Sequence, residues 1–388
     1  MDANRTPSTA TQRTVPFFNY PSVYAEDEQA ILRLVADVGG RGAFIMQKDL
    51  AAFERRVAEY VGAKHVVGMA NATDALHFAV RAAGIGPGDE VIFASHTMVA
   101  TPAAAHFAGA TPVPVECGPD HLICPAAVEA AVTPRTRAIM PTQLNGRTAD
   151  MDALNEIAQR HGLVIIEDSA QALGSKYKGR CAGTFGLAGC ISFYPAKTLG
   201  CLGDGGCLIT NDDAVYEQVM LLRDHGRDAA GEVVTWGLNS RLDNLQAAIL
   251  NLKMDRYERD VARRRQIAGM YDAGLRGVDA LTLPPAPGSD PDHFDIFQNY
   301  ELEAEGRDGL RDHLKRCGVG TLIQWGGKGV HQFEKLGFTE SLPYTERLFE
   351  RMLLLPLNPS LCDADVQHVA DSVASYYGAA AGDCRQAA

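Results

Sequence analysis

The stretch ISFYPAKTLGCLGDGG, from Ile191 to Gly206, connects two apolar runs through a turn that contains a single lysine. The first run stops at Pro195, Lys197 follows, and glycines are frequent from there to the second run. A lysine at the end of a strand is usually solvated, so this turn taken alone is explained more simply by structure than by ligand binding.

Short apolar runs alternate with helical patterns on both sides of this turn. Strands are predicted at HVVGMA, DEVIFAS, TPVPVE, RAIMPTQ, LVIIED, GCISFY and GCLITND. The helix before the first strand places Leu50, Phe53, Val57 and Tyr60 on one face and stops at Gly62. Because the strands are apolar on both faces, the alternation predicts an α/β fold with a mainly parallel sheet flanked by helices.

The pattern changes near Asp224, where a polar, glycine-rich segment precedes a helical stretch from about Leu242 to Tyr271. The arginine run ARRRQ within that stretch is interpreted as a solvated face. The length of 388 residues allows two to three domains. We predict an N-terminal arm at 1–25, a large α/β domain at 26–250 and a smaller C-terminal α+β domain at 251–388.

Composition argues against several classes of function. A formal net charge of −12 without a basic stripe makes nucleic acid an unexpected partner, and no apolar run is long enough to span a bilayer. The nine cysteines form no CxxC pair and have no histidines nearby at metal-ligand spacing, so no metal site is predicted. Scattered cysteines and a polar N-terminus without a secretory segment indicate a cytoplasmic protein with reduced thiols.

Polar residues follow three predicted strands, at the edge where parallel sheets bind ligands. In GMANATDAL a strand leads directly into a helix that Asn71 or Thr73 can cap. In VIIEDSAQALGS the carboxylates of Glu167 and Asp168 follow the most apolar strand, where a carboxylate can cap a turn, bind a metal or pair with a buried cation. The third place is the lysine turn, and each of the three taken alone has a simple structural explanation.

Taken together, the three places match the requirements of pyridoxal 5'-phosphate (PLP). Exposed amides at a helix N-terminus bind phosphate, a carboxylate keeps the ring nitrogen protonated, and a lysine amine bonds to the aldehyde. The nucleotide motifs do not fit this turn, because Ala196 stands where a Walker A loop has glycine and GCLGDGG leads into a strand rather than a helix. The sequence therefore favours PLP.

Four segments in order, NATDALHFAV, EDSAQALGS, SFYPAKTLGCLGDGG and GLNSRLDNLQAAIL, resemble the sugar aminotransferases of the DegT/DnrJ/EryC1/StrS family. The resemblance runs from about Gly42 to Tyr377. It implies the type I, aspartate aminotransferase-like fold of PLP-dependent transferases and a homodimer with active sites at the subunit interface. It also implies transamination from an amino acid, by family habit glutamate, to a keto sugar, with a nucleotide-linked keto-deoxysugar as the preferred acceptor.

The resemblance also assigns roles to individual residues. Lys197 would bond to the cofactor and move protons, Asp168 would hold the pyridinium nitrogen, and Gln171 would lie near the phenolic oxygen. The phosphate would be held by Ala72, Thr73, Asp74 and Ser192, with Asn239 supplied by the neighbouring subunit. From the residues alone, Asn239 would be a turn residue in a polar loop.

The position that stacks on the cofactor ring is a departure from the family, which commonly has an aromatic residue in the segment that here is SHTMVAT. Either Met98 or His96 would contact the ring. For the acceptor, the candidate residues are Arg241, Trp325, Lys328 and His331. Each of these is equally compatible with packing or with pairing to an acid, such as Asp243 for the arginine.

Lys197 argues against the family branch that removes a sugar hydroxyl, which has histidine at this position. The GDGG segment resembles the nucleotide-sugar branch more than the cyclitol branch, which tends to have Gly-Glu-Gly-Gly there. Two alternatives stay open: an aminotransferase for a cyclitol or other non-nucleotide keto acceptor, and a non-catalytic PLP-binding relative.

Overall fold

The computed structural model describes residues 13–378 of the chain. The beginning of the predicted N-terminal arm, residues 1–12, and the end of the predicted small domain, residues 379–388, lie outside the described residues. None of the helices in the described part is long and apolar enough to cross a membrane.

A seven-stranded sheet in the order β1-β9-β8-β5-β4-β2-β3 forms the centre of the larger part of the molecule. Within this sheet β9 alone runs against its neighbours, and the other strands are parallel to one another. The prediction of a mainly parallel sheet is therefore confirmed. Its strands are β1 (His65–Met69), β2 (Glu90–Ala94), β3 (Thr111–Val115), β4 (Thr136–Met140), β5 (Val164–Asp168), β8 (Ala188–Ser192) and β9 (Gly206–Thr210).

Two smaller three-stranded sheets accompany it, with the orders β11-β6-β7 and β10-β12-β13. All pairs in them are antiparallel. Their strands are β6 (Lys176–Tyr177), β7 (Arg180–Cys181), β10 (Leu281–Thr282), β11 (His293–Phe294), β12 (Tyr300–Ala304) and β13 (Met352–Leu355).

Helices cover both faces of the central sheet and surround the small sheet that contains β12. The predicted amphipathic helix is α2: Leu50, Phe53 and Val57 are buried, and Gly62 ends it in the left-handed conformation. The α-helices are α1 (Tyr20–Arg41), α2 (Lys48–Val61), α3 (Ala72–Ala82), α4 (Ala100–Phe107), α5 (Pro125–Ala131), α6 (Met151–His161), α7 (Asp213–Leu222), α8 (Asn244–Met254), α9 (Tyr257–Leu275), α10 (Arg307–Arg316), α11 (Pro343–Arg351) and α12 (Asp363–Tyr376).

Apolar side chains on both faces explain why the strand sequences are continuously hydrophobic. Helices α3, α4 and α7 pack on one face, in a core that includes Phe78 and Ile166. On the other face α2 and α8 pack around Phe53, and α5 and α6 pack around Ile165. Neighbouring residues of one strand thus enter opposite cores, as expected for a covered parallel sheet.

A separate core lies around the sheet that contains β12 and is formed with α9, α10 and α12. Val15, from the part of the N-terminal arm that the structure describes, is buried in this core and pairs in parallel with Val319. The predicted boundary at residue 250 falls within α8, shortly before α9 begins, and the predicted end of the arm at residue 25 falls inside α1. These domain limits stay predictions.

The prediction of a solvated arginine run on α9 is wrong for Arg264. Its side chain is buried, and its guanidinium donates to the carbonyl oxygens of Phe297, Gln298 and Leu357 at 3.1–3.2 Å. Burial lowers its pKa to about 10. Helical periodicity cannot reveal this environment, because the three carbonyl groups come from distant parts of the chain.

An ion pair connects the loop after β3 to the small sheet. His121 Nδ1 lies 2.7 Å from an oxygen of the buried Glu301, and its Nε2 lies 3.4 Å from Glu303. Burial alone would lower the pKa of His121, but hydrogen bonds to these two glutamates raise it to about 9. His96 Nε2 is 3.6 Å from the same Glu301, and Arg351 pairs with Glu303.

This pair predicts a pH-dependent stability. A histidine whose pKa is about 6.5 when unfolded and about 9 when folded stabilises the protein fully below about pH 6.5 and loses that contribution as the pH rises through 9. We expect the free energy of unfolding to fall by roughly 3 kcal/mol across this window. In thermal melts at a series of pH values, His121→Gln should lack most of this pH dependence. If the melting temperature of the variant changed with pH as it does in the wild type, the role of the pair would be contradicted.

Candidate active site

The three places selected from the sequence meet at one edge of the central sheet. Asp168, the last residue of β5, pairs with Cys190 of β8, and the last residue of β8, Ser192, pairs with Gly206. Gly206 in turn pairs with Met69 at the end of β1. Because β9 runs in the opposite direction, it begins where its neighbours end.

The helix that follows β1 begins at this edge. Asn71 caps α3 by accepting a hydrogen bond from the amide of Asp74 at 2.8 Å. The Asp74 carboxylate accepts a hydrogen bond from Ser240 Oγ at 2.6 Å, so this side chain is engaged within the protein. The first amides of a helix have no partner within the helix, which leaves those of Ala72 and Thr73 suited to an anion.

Gly206 makes the close approach of this helix possible. A Cβ atom at this position would lie 2.5 Å from the Ala72 nitrogen, a distance that real side chains do not adopt. Absence of a side chain therefore lets β9 lie directly against the start of α3. Ser192, half-buried at the end of β8, adds a hydroxyl group at the same edge.

Asp168 is buried and is bound to a row of threonine hydroxyls. Its Oδ2 accepts a hydrogen bond from Thr101 Oγ1 at 2.6 Å, and Oδ1 accepts one from the Ala170 amide at 3.2 Å. Thr97 Oγ1 lies 2.6 Å from Thr101 Oγ1 and 2.7 Å from Thr142 Oγ1, which extends the row. Burial raises the pKa of Asp168, and the Thr101 and Ala170 hydrogen bonds oppose that rise.

Glu167 has a different environment, although it is also buried. Its carboxylate accepts hydrogen bonds from Gln143 Nε2 and from the amides of Gly183, Phe185 and Gly186 at 2.6–3.0 Å. Burial raises its pKa and these four donors oppose the rise. Glu167 therefore anchors the loop before β8, whereas Asp168 faces the ligand edge of the sheet.

Lys197 is half-buried, and its amine lies near Asp168. Burial lowers the pKa of Lys197 to about 8, and the charge of Asp168 acts in the opposite direction. Within residues 13–378 no carboxylate lies within ion-pair distance of this amine. A substantial neutral fraction near physiological pH is the state that a nucleophile or a base requires.

Gln171 lies in the segment without a helix that follows β5, close to the residues that precede β12. Its Oε1 accepts a hydrogen bond from the Asn145 amide at 2.8 Å and lies 3.4 Å from Asn299 Nδ2. Asn239 is exposed and bridges to Asp224 through the backbone. Arg241 pairs with the same Asp224 at 2.8 Å, so its acidic partner is not the suggested Asp243.

The two candidates for stacking on the ring differ in exposure. His96 is buried, with Nδ1 3.0 Å from the carbonyl oxygen of His121 and its ring edge-on to Trp325 and Phe349. Met98 is 49% exposed. Of the two, Met98 has a side-chain surface free to contact a bound ring.

The residues suggested for the acceptor fall into two groups. His331 is buried between Ser95 Oγ at 2.6 Å and Glu346 at 3.2 Å, and Trp325 is half-buried. His331 is therefore packed in the interior, whereas Trp325 keeps part of its surface exposed. Lys328 is exposed in the same segment.

The threonine row was not predicted from the sequence. Thr97 and Thr101 are four residues apart in SHTMVAT, a spacing that places two side chains on the same side of a helical turn, and this could have indicated them. Thr142 follows β4 and carries no comparable local signal. Within residues 13–378 no group of three His, Cys, Asp or Glu side chains could hold a metal ion.

The residues present fit PLP. The start of α3 offers free amides beside a strand that has no Cβ in the way, and a buried carboxylate and a lysine amine without an acidic partner share the same sheet edge. These are an anion cradle, a partner for a ring nitrogen and a group that can bond to an aldehyde.

Comparison with known proteins agrees with this geometry. The profile of the DegT/DnrJ/EryC1/StrS aminotransferase family matches residues 25–374. The chain is 40% identical to the dTDP-3-amino-3,4,6-trideoxy-alpha-D-glucose transaminase of Streptomyces venezuelae, over 94% of this chain and 97% of the relative. It is also 40% identical to a pleiotropic regulatory protein of Geobacillus stearothermophilus, over 94% and 98%.

A solved structure has the same fold. The crystal structure of S. venezuelae DesV in complex with a ketimine intermediate matches with a TM-score of 0.90 and 40% identity, over 94% of this chain and 98% of that one. The predicted type I fold of PLP-dependent transferases is confirmed. The family profile matches most of the sequence, and the relatives are similar along nearly their whole length. The chain therefore belongs to the DegT/DnrJ/EryC1/StrS family of PLP-dependent aminotransferases.

Proposed function

We propose that this aminotransferase moves the amino group of L-glutamate to a nucleotide-linked keto sugar, using PLP bound at the edge formed by α3, β5, β8 and β9. The observation that carries the proposal is the half-buried Lys197, whose pKa is lowered to about 8 and whose amine lies near the buried Asp168. The sugar is inferred from the dTDP-sugar transaminase to which the chain is 40% identical.

The residues at the site divide the chemical work. Bound PLP supplies an electron sink for the carbon that loses its proton. Asp168 would keep a proton on the ring nitrogen. The neutral Lys197 Nζ would accept the proton from the α-carbon of the amino acid and deliver it to C4′ of the cofactor. Gln171 would orient the phenolic oxygen.

We also propose that the working enzyme is a homodimer in which Asn239 reaches the phosphate of the other subunit. Asn239 lies in an exposed loop that also presents large apolar side chains. Among them, Trp236 is 89% exposed and Val233 is 66% exposed. Apolar surface of this kind is typical of a surface covered by a partner chain.

We choose the residue that would bind the diphosphate of the acceptor by its charge and its exposure. Lys328 is exposed and is the preferred candidate for the diphosphate, whereas Arg241 already pairs with Asp224. His331 would act by holding the 324–332 segment to Ser95 rather than by touching the sugar.

A second candidate, a PLP-binding regulator without turnover, is favoured by the pleiotropic regulatory protein to which the chain is equally similar. Visible absorbance of the bound cofactor separates the two. We expect the purified protein to be yellow, to bleach with L-glutamate but not D-glutamate, and to recover its colour with a dTDP-linked keto sugar. A protein that stays yellow with L-glutamate and all other common amino acids would contradict the enzyme proposal. Recovery with a free cyclitol ketone instead would move the acceptor to the cyclitol class.

A further inference from the structure

Gln298 contacts the backbone on both sides of Lys197. It is buried in the segment between β11 and β12. Its Oε1 accepts a hydrogen bond from the Thr198 amide at 2.8 Å, and its Nε2 donates to the Ala196 carbonyl oxygen at 2.8 Å. One side-chain amide therefore fixes the peptide groups that flank the lysine.

The backbone of Gln298 is itself held firmly. The buried Arg264 donates to the carbonyl oxygens of Gln298 and Phe297, both at 3.2 Å. The Ile296 amide donates to Gly146 at 2.9 Å, and Phe297 adopts a left-handed conformation with φ of 52°. Such a conformation persists only where its surroundings enforce it, so the position of the Gln298 amide is well determined.

The adjacent residue reaches another part of the site. Asn299 Nδ2 lies 2.8 Å from Asn145 Oδ1 and 3.4 Å from Gln171 Oε1. The segment 296–299 thus contacts both the lysine turn and the glutamine expected at the phenolic oxygen. Immediately after it, β12 enters the core around the small sheet.

We propose that Gln298 is a positioning residue that holds the lysine turn from both sides and so directs the Lys197 amine toward the ligand edge of the sheet. This inference rests on the proposed role of Lys197. A turn held in this way keeps the amine away from water, which agrees with the direction of its pKa shift. Without the two hydrogen bonds the turn would loosen and the amine would become hydrated.

The test measures Lys197 itself in the full-length chain without bound cofactor. Limiting acetic anhydride labels neutral amines, and peptide mass spectrometry across a pH series gives the titration midpoint of Lys197. Gln298→Met removes both hydrogen bonds and keeps the side-chain length. We expect its midpoint to rise by about one pH unit, toward the value of about 10.4 for a free lysine.

The chain offers a matched control on the same glycine-rich connection. Gln246 also makes two bonds to one backbone segment: its Oε1 accepts from the Leu202 amide at 2.9 Å and its Nε2 donates to the Leu202 carbonyl at 3.1 Å. Gln246→Met should leave the Lys197 midpoint unchanged. Gln298→Asn, with an amide too short to reach both backbone groups, replaces Gln298→Met if that variant does not fold.

A midpoint that stays at the wild-type value in the Gln298 variants would overturn the proposal, and so would an equal shift in Gln246→Met. In the cofactor-loaded enzyme we expect Gln298→Met to lower kcat about 10- to 100-fold with little change in KM, as for misplacement of a reacting group. Failure of the proposed function is recognised separately, because Lys197 would then carry no PLP after borohydride reduction of the wild-type protein.

Discussion

Lys197→Ala is expected to lower the rate of transamination at least about 10⁴-fold, the upper range for loss of a positioned proton-transfer group. The variant loses the amine that we propose bonds to the cofactor and moves the proton. Borohydride reduction followed by peptide mapping should attach PLP to Lys197 in the wild-type protein and to no peptide in the variant. Its melting temperature should stay close to that of the wild type, because this amine has no ion-pair partner among the described residues.

Lys253→Met is the matched control for this substitution. Lys253 is also a partly buried lysine whose pKa is lowered by burial, and its Nζ donates to the Gly200 carbonyl oxygen of the lysine turn at 2.6 Å. The control should lose some stability but retain the PLP tag on Lys197. Normal turnover in Lys197→Ala, or a tag on Lys253 in the wild type, would refute the assignment.

Asp168→Asn is expected to lower kcat by about 10³-fold, comparable to the loss of a strong electrostatic contact in the transition state. A neutral amide cannot keep a proton on a ring nitrogen. The substitution should nevertheless leave the melting temperature unchanged or slightly higher, because burial disfavours the charged form of Asp168. The row of threonines can adapt, since Thr101 can accept a hydrogen bond from the new amide and donate to Thr97 instead.

The adjacent carboxylate provides the contrast. Glu167→Gln replaces an acceptor of four hydrogen bonds by an amide that can accept only part of them. We expect a loss of roughly 1–3 kcal/mol in the free energy of unfolding and little change in kcat per folded molecule. Turnover and melting temperature measured on both variants separate the two roles. If Asp168→Asn lowered the melting temperature as much as Glu167→Gln does, Asp168 would also be a structural anchor.

Local sequence patterns predicted the elements of the fold and the meeting of three segments at one edge. The helix that ends at Gly62 and the strand that ends at Asp168 follow from periodicity and from turn residues nearby in the chain. The cap at Asn71 follows from its position between a strand and a helix. Each of these depends on neighbours within a few residues.

Contacts between distant segments could not be predicted in this way. Arg264 was assigned to a solvated face, although it binds carbonyl groups about 30 to 90 residues further along the chain. Gln298 lies in a short strand-like pattern, and nothing in that pattern indicates a contact with Thr198. His121 and Glu301 likewise form a pair although they are 180 residues apart in the chain.

The reversed direction of β9 limits where the chain can change in length. In the parallel part of the sheet, a connection leaves at one edge and returns at the opposite one, so an added residue can be absorbed by the crossover on the far side. Residues 193–205 leave and return at the same edge. An insertion or deletion there would move the Lys197 amine relative to the Asp168 carboxylate, because no helix in this connection can compensate. We therefore expect the length of this connection to be fixed and the lengths of the crossovers to vary.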